Sequence, residues 1–207
     1  MTTVSIIGAG NMAGVIAGVA SKAGASVQIV ARELDKASAL ASGLGATPAA
    51  YGDPLTGEIV VLALPYGAIT DVLATYEGAL DGRTVVDITN PVDFATFDDL
   101  VVPADSSAAA VIAAAVPGAR VVKAFNTNFG ATLATGTVGG LTTTVLVAGD
   151  DADAKQSVID LVVAAGLNGV DAGALKRARE LEALGFLQVT LGAAEKTPWT
   201  GGFALTV

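Results

Sequence analysis

Apolar runs of strand length alternate along this chain with stretches in which apolar residues recur every three or four positions. Val4-Ser5-Ile6-Ile7 reads as a buried strand, and Met12, Val15, Ile16 and Val19 place one face of a following helix at i, i+3, i+4 and i+7. A second strand is predicted at Ser26–Val30, a helix from Leu34 to about Leu44, and a short strand near Ala46. The apolar run Glu58–Leu64 ends at Pro65, and Ile69, Val72, Leu73 and Tyr76 share the next helix face. Arg83–Ile88 is the fifth strand and runs into Thr89-Asn90-Pro91. A polar loop, Asp93–Asp105, leads through Ser106-Ser107 to an alanine-rich helix stopped by Pro117-Gly118, and Arg120–Ala124 is the sixth strand.

Strands alternating with helices predict an α/β fold, a Rossmann-type doubly wound and mainly parallel sheet covered on both faces. Residues 1–124 read as the dinucleotide-binding core. Residues 125–207 extend the same domain by a strand at Thr143–Ala148, a helix with its stripe at Val158, Leu161, Val162 and Ala165, a strand at Gly169-Val170-Asp171, and a long helix from Leu175 to about Glu195. No stretch rich in proline, serine or charge separates two domains, and little chain follows Leu175. A substrate pocket is therefore expected from loops, a dimer partner, or both.

Gly8-Ala9-Gly10-Asn11-Met12-Ala13 sits where the first strand meets the first helix, the Gly-x-Gly-x-x-Ala form of a dinucleotide-binding turn. Gly8 permits the tight turn, Gly10 lets the backbone approach a pyrophosphate, and Ala13 lets helix and sheet pack closely. The helix N-terminus supplies unpaired N–H groups and the positive end of a dipole. Asn11 and Met12 belong to the same turn. About 20 residues on, where an enzyme for the unphosphorylated cofactor places an acid on the ribose, this chain has Arg32, with Lys36 one turn later. That exchange predicts NADP(H), although Glu33 lies within reach of a ribose hydroxyl.

Composition narrows the chemistry. The 207 residues include no histidine and no cysteine, which excludes a Ser-His-Asp triad, a thiolate nucleophile, disulfides and the common zinc sites. No metal is expected; Asp150, Asp151 and Asp153 read as a helix cap and first-turn acids. Net charge is −9, a field that repels nucleic acid. Mean hydropathy is +0.63, yet no apolar run approaches the ~18 residues of a membrane span. A cytoplasmic protein is expected, with no membrane and no nucleic acid among its partners.

Leu64, Pro65, Tyr66, Asn90, Pro91 and Ala124 stand at the ends of the fourth, fifth and sixth strands, the crevice in which open α/β sheets bind ligands. They are the expected cofactor-lining residues. Asn126 is the candidate for orienting the nicotinamide carboxamide or a second ring, and an acceptor site is expected where Phe125, Asn126 and Pro65 meet, closed by a Phe129–Leu141 loop. Lys123 is either a proton donor, if burial depresses its pKa, or a surface lysine with a snorkelling stem. Lys176, Arg177 and Arg179 open the last helix, where its dipole disfavours cations. Glu180 and Glu182, a dimer mate, or the acidic tail of a ligand would offset them.

The ordered set Gly8–Met12, Arg32 with Lys36, Leu62–Tyr66, Asp87–Pro91, Val122–Thr127, Val147–Asp151, Asp171–Gly173 and Ala178–Glu182 resembles the coenzyme F420-dependent NADP oxidoreductase family. It also resembles the related cytosolic domain of the six-transmembrane metalloreductases. The resemblance implies hydride transfer between NADP(H) and a planar deazaflavin (coenzyme F420) or flavin, a small-molecule electron acceptor. Members that use deazaflavin often carry a histidine in the segment matching Ala124-Phe125-Asn126, and here the residue is Asn126.

Two rival readings remain: an NADP(H)-binding sensor or scaffold without turnover, and a small carbonyl or imine reductase with its pocket at a dimer interface. A homodimer is expected through Leu181, Leu184, Leu187, Leu191, Trp199 and Phe203 of the last helix and tail.

Overall fold

In the computed structural model, which describes residues 1–206, the chain runs β1 (Thr3–Ile7), α1 (Asn11–Lys22), β2 (Ser26–Ala31), α2 (Leu34–Ser42), β3 (Thr47–Ala50), β4 (Ile59–Leu62), α3 (Ile69–Thr75), β5 (Thr84–Asp87), α4 (Ala108–Ala115) and β6 (Arg120–Lys123). There follow α5 (Gly130–Thr135), a hairpin of β7 (Thr137–Val138) and β8 (Leu141–Thr142), β9 (Thr144–Gly149), α6 (Ala152–Ala164), β10 (Asn168–Gly173) and α7 (Ala178–Ala193). Single 3-10 turns precede α3 at Tyr66–Ala68 and α7 at Leu175–Arg177.

Eight strands form one sheet in the order β10-β9-β6-β5-β4-β1-β2-β3. β3-β2-β1-β4-β5-β6 is the doubly wound dinucleotide order, parallel throughout. β9 joins β6 antiparallel, and β10 runs parallel to β9. The reason is where the chain leaves β6: α5 and the β7–β8 hairpin return it to the same end of the sheet, so β9 enters against the direction of β6. The third strand lies slightly beyond the position expected from sequence, at the sheet edge, where Pro48 is tolerated.

Period-two alternation divides the core. Ile59 and Val61 of β4 pack with α1, α2, α5 and α6 on one face, whereas Val60 and Leu62 pack with α3, α4 and the start of α7 on the other. Ser107 caps α4 by accepting from Ala110 N at 3.0 Å. Asp151 caps α6 by accepting from Ala154 N at 2.8 Å, with Asp153 in its first turn. Asp150 departs from that expectation: it turns away and accepts the N–H of Leu175 at 2.9 Å.

Candidate functional site

The C-terminal ends of β2, β1, β4, β5 and β6 form one rim, with the glycine turn after β1 between the β2 end and the β5 and β6 end. Gly8 has φ +133°, and a Cβ there would collide with the Ala63 carbonyl oxygen, so no other residue fits without strain. Its N–H donates to Val30 O at 2.8 Å, fixing the turn against β2. Gly10 precedes α1 with nothing near its missing Cβ, and no side chain caps the helix. The first-turn N–H groups therefore face open space, with no acid in the turn to compete for them. Ala13 is wholly buried, as close helix–sheet packing requires.

At the β2 end of the rim, Arg32 and Lys36 are both exposed. Arg32 lies over the Tyr51 ring, 5.7 Å from its centroid, and reaches Asp71 at 3.5 Å. Lys36 bonds Glu33 at 2.6 Å, so the carboxylate within reach of a ribose is already engaged.

At the β5 and β6 end, two carboxamides interlock. Asn90 Nδ2 donates to Asn126 O at 2.8 Å; Asn126 Nδ2 donates to Asn90 Oδ1 and to Leu181 O, each at 2.9 Å. Gly185 of α7 sits directly on this pair, and a Cβ there would strike Asn90. Phe125 turns the backbone at φ +64°, a left-handed conformation costly for a residue with a Cβ. A cavity of about 390 Å³ opens beside them, bounded by Met12, Asn126, Asn128, Phe129, Val189 and Trp199 among others. Asn126 Oδ1 and Asn128 Oδ1 are buried and have no hydrogen-bond partner among the described residues.

The expected acceptor site is corrected in two respects. Pro65 does not border this cavity, because it starts the 3-10 turn ahead of α3 on the far side of β4. Residues 129–141 form α5 and a hairpin instead of a loop, and Trp199 of the tail packs on Phe129 with ring centroids 4.8 Å apart. The tail returns because Gln188 Oε1 accepts from Phe203 N at 3.0 Å and Leu205 O accepts from Thr144 Oγ1 at 3.1 Å. Leu64 and Tyr66 are half-buried at the rim, Pro91 is buried, and Ala124 is core with its N–H bonded to Asp87 O.

Lys123 is neither a surface lysine nor open to the cavity. It is fully buried, with Nζ 2.8 Å from Asp87, 2.8 Å from Glu182 and 2.5 Å from the Thr89 carbonyl. Glu182 also accepts from Ala108 N at 2.8 Å and Ala109 N at 3.3 Å, holding the N-terminus of α4. Burial pushes the Glu182 carboxyl above its ordinary range, against the pull of the Lys123 ammonium. Tyr66 is pushed up as well, by burial first and then by the Glu182 and Asp87 charges. Neither acid was legible as Lys123's partner; the signal lay in two acids and one base on otherwise apolar faces.

Glu182 is thus unavailable to the basic residues opening α7. Glu180 pairs with two of them, 2.8 Å from Arg179 and 3.5 Å from Arg177, and the Arg179 bond holds its carboxyl below the ordinary range. Of the apolar residues expected at a dimer face, Leu181 is buried within the chain, whereas Leu187, Trp199 and Phe203 are about half exposed.

Residues 3–91 match the family described as NADP oxidoreductase, coenzyme F420-dependent. The F420-dependent NADP reductase of Methanocaldococcus jannaschii is 32% identical over 149 residues, 70% of this chain and 66% of that protein. Metalloreductase STEAP3 of Rattus norvegicus is 28% identical over 87% of this chain and 36% of its own length. The chain thus spans less than two thirds of these relatives. The crystal structure of an inferred F420-dependent NADP reductase from Arthrobacter sp. FB24 superposes over 99% of both chains with a TM-score of 0.85 at 26% identity.

Proposed function

This chain belongs to the coenzyme F420-dependent NADP oxidoreductase family, and we propose that it is an NADP(H)-dependent oxidoreductase acting on a planar deazaflavin or flavin ring. The observation that carries this reading is the order of features along the C-terminal ends of the strands, β2-β1-β4-β5-β6. An uncapped helix N-terminus lies between the ends, two cations at one end, and at the other a largely apolar cavity with two unpaired amide oxygens.

NADP(H), when bound, supplies the hydride. The residues of the chain bind and orient. Gly10 and the first turn of α1, with Asn11 and Met12, hold the pyrophosphate; Arg32 and Lys36 hold the 2′-phosphate. Asn90 and Asn126, fixed by each other and by Leu181 O, meet the reacting rings with little left to reorganise. Trp199, Phe129 and Val189 exclude water from that end. Lys123, buried against Asp87 and Glu182, ties β5, β6, α4 and α7 together, so it acts as a positioning residue.

The chain is further proposed to work as a cytoplasmic homodimer joined through the last helix and tail; light scattering at micromolar concentration tests the assembly. Among the described residues, no helix is long and apolar enough to cross a membrane.

Steady-state NADPH oxidation against deazaflavin, flavin, ferric-chelate and imine acceptors tests the activity. Deazaflavin or flavin should support turnover, and Asn126→Ala should lower turnover more than NADPH affinity, because orientation of the reacting ring is realised in the transition state. Absence of oxidation with every acceptor points to the sensor.

A further inference from the structure

Resting on the NADP(H) reading above, we infer that Asp71 sets the strength of cofactor preference by acting, in the free chain, as the counter-ion that a 2′-phosphate must replace on Arg32. The pair joins two parts of the fold: Arg32 follows β2 directly and Asp71 lies on α3, 3.5 Å away. α3 also fixes the plate beneath the guanidinium. Tyr51 Oη donates its one hydrogen to Thr75 Oγ1 at 2.9 Å, Thr75 Oγ1 in turn donates to Asp71 O at 2.8 Å, and the Tyr51 ring meets Tyr76 edge-on at 5.7 Å.

The guanidinium is therefore held by an aromatic face and one carboxylate contact, with most of its donors free. Lys36 is likewise occupied by Glu33, so these four side chains sum to zero charge before any ligand arrives. An arriving phosphate dianion makes a closer, two-pronged contact with a guanidinium than one carboxylate oxygen at 3.5 Å does, and it displaces Asp71. Asp71 that stayed would repel it, an effect of the same sign. Arg32 and Asp71 are 66% and 74% exposed, so the pair is weak and its removal is worth about two- to fivefold in affinity. NADH carries no 2′-phosphate and makes no such demand.

The test is calorimetric titration of wild type, Asp71→Asn, Arg32→Ala and the double variant with NADPH and NADH. Asp71→Asn should tighten NADPH binding about two- to fivefold and leave NADH unchanged. The gain should fade near ~1 M salt, where screening acts over ~3 Å, and vanish when Arg32 is already alanine. An equal change for both cofactors, no change, or the same gain without Arg32 overturns the assignment. Equal affinity of the wild type for NADPH and NADH marks failure of the cofactor reading itself and removes the role of Asp71 with it; a wild-type preference that Asp71→Asn leaves unaltered overturns the role alone.

Discussion

The two ends of the rim are both built on ion pairs, yet the pairs differ in kind. At the β2 end, Arg32–Asp71 and Lys36–Glu33 lie in water, on side chains about two thirds or more exposed. At the β5–β6 end, Lys123, Asp87 and Glu182 are sealed between the sheet and helices α4 and α7. Exposed pairs contribute little to stability and exchange partners readily, as the proposed release and rebinding of a phosphate requires. Buried charges cannot exchange. Once formed they fix whatever they touch, here β5, β6, α4 and α7 together, and with them the Leu181 carbonyl that holds Asn126.

The sharpest way to break that contrast is to remove one partner at each end. Lys123→Met leaves two buried carboxyl groups without their cation and should cost about 3–5 kcal/mol in chemical denaturation. A loss below about 1 kcal/mol would mean that the cluster admits water. Arg32→Ala should leave stability within about 0.5 kcal/mol but lose about 1.5–3 kcal/mol of NADPH binding, roughly tenfold to a hundredfold.

Acidity separates the ends further. The folded carboxyl of Glu182 holds its proton more tightly than the unfolded one, so its contribution to stability falls as pH rises from 4.5 through the raised folded pKa. Glu182→Gln should flatten that part of the stability profile; an unaltered slope would place the extra proton elsewhere in the cluster. Lys36→Ala is expected to show the smallest effect, with stability changed by less than about 0.5 kcal/mol and NADPH binding weakened several-fold less than in Arg32→Ala. A larger loss than Arg32→Ala would reverse their ranking as phosphate contacts.

The alternation of periods along the chain was enough to predict the long strands and helices and a doubly wound sheet, though not α5 or the β7–β8 hairpin, because side-chain periodicity is a local consequence of backbone geometry. The glycine turn and the place of Arg32 just after β2 were legible for the same reason: each depends on a residue's own conformation or its position in the local chain. What tertiary structure alone decided is which distant residues meet. Lys123 finds Asp87 and Glu182 because β5 lies beside β6 and α7 crosses their ends; Arg32 finds Asp71 because β2 and β4 flank β1; Trp199 reaches Phe129 because the tail turns back along α7. Such pairings depend on strand order and crossover direction, properties of the whole sheet. Burial then settled what residue type had left open: a lysine after a strand is equally consistent with a solvated stem and a sealed ion, and the desolvation of its two acids distinguishes them.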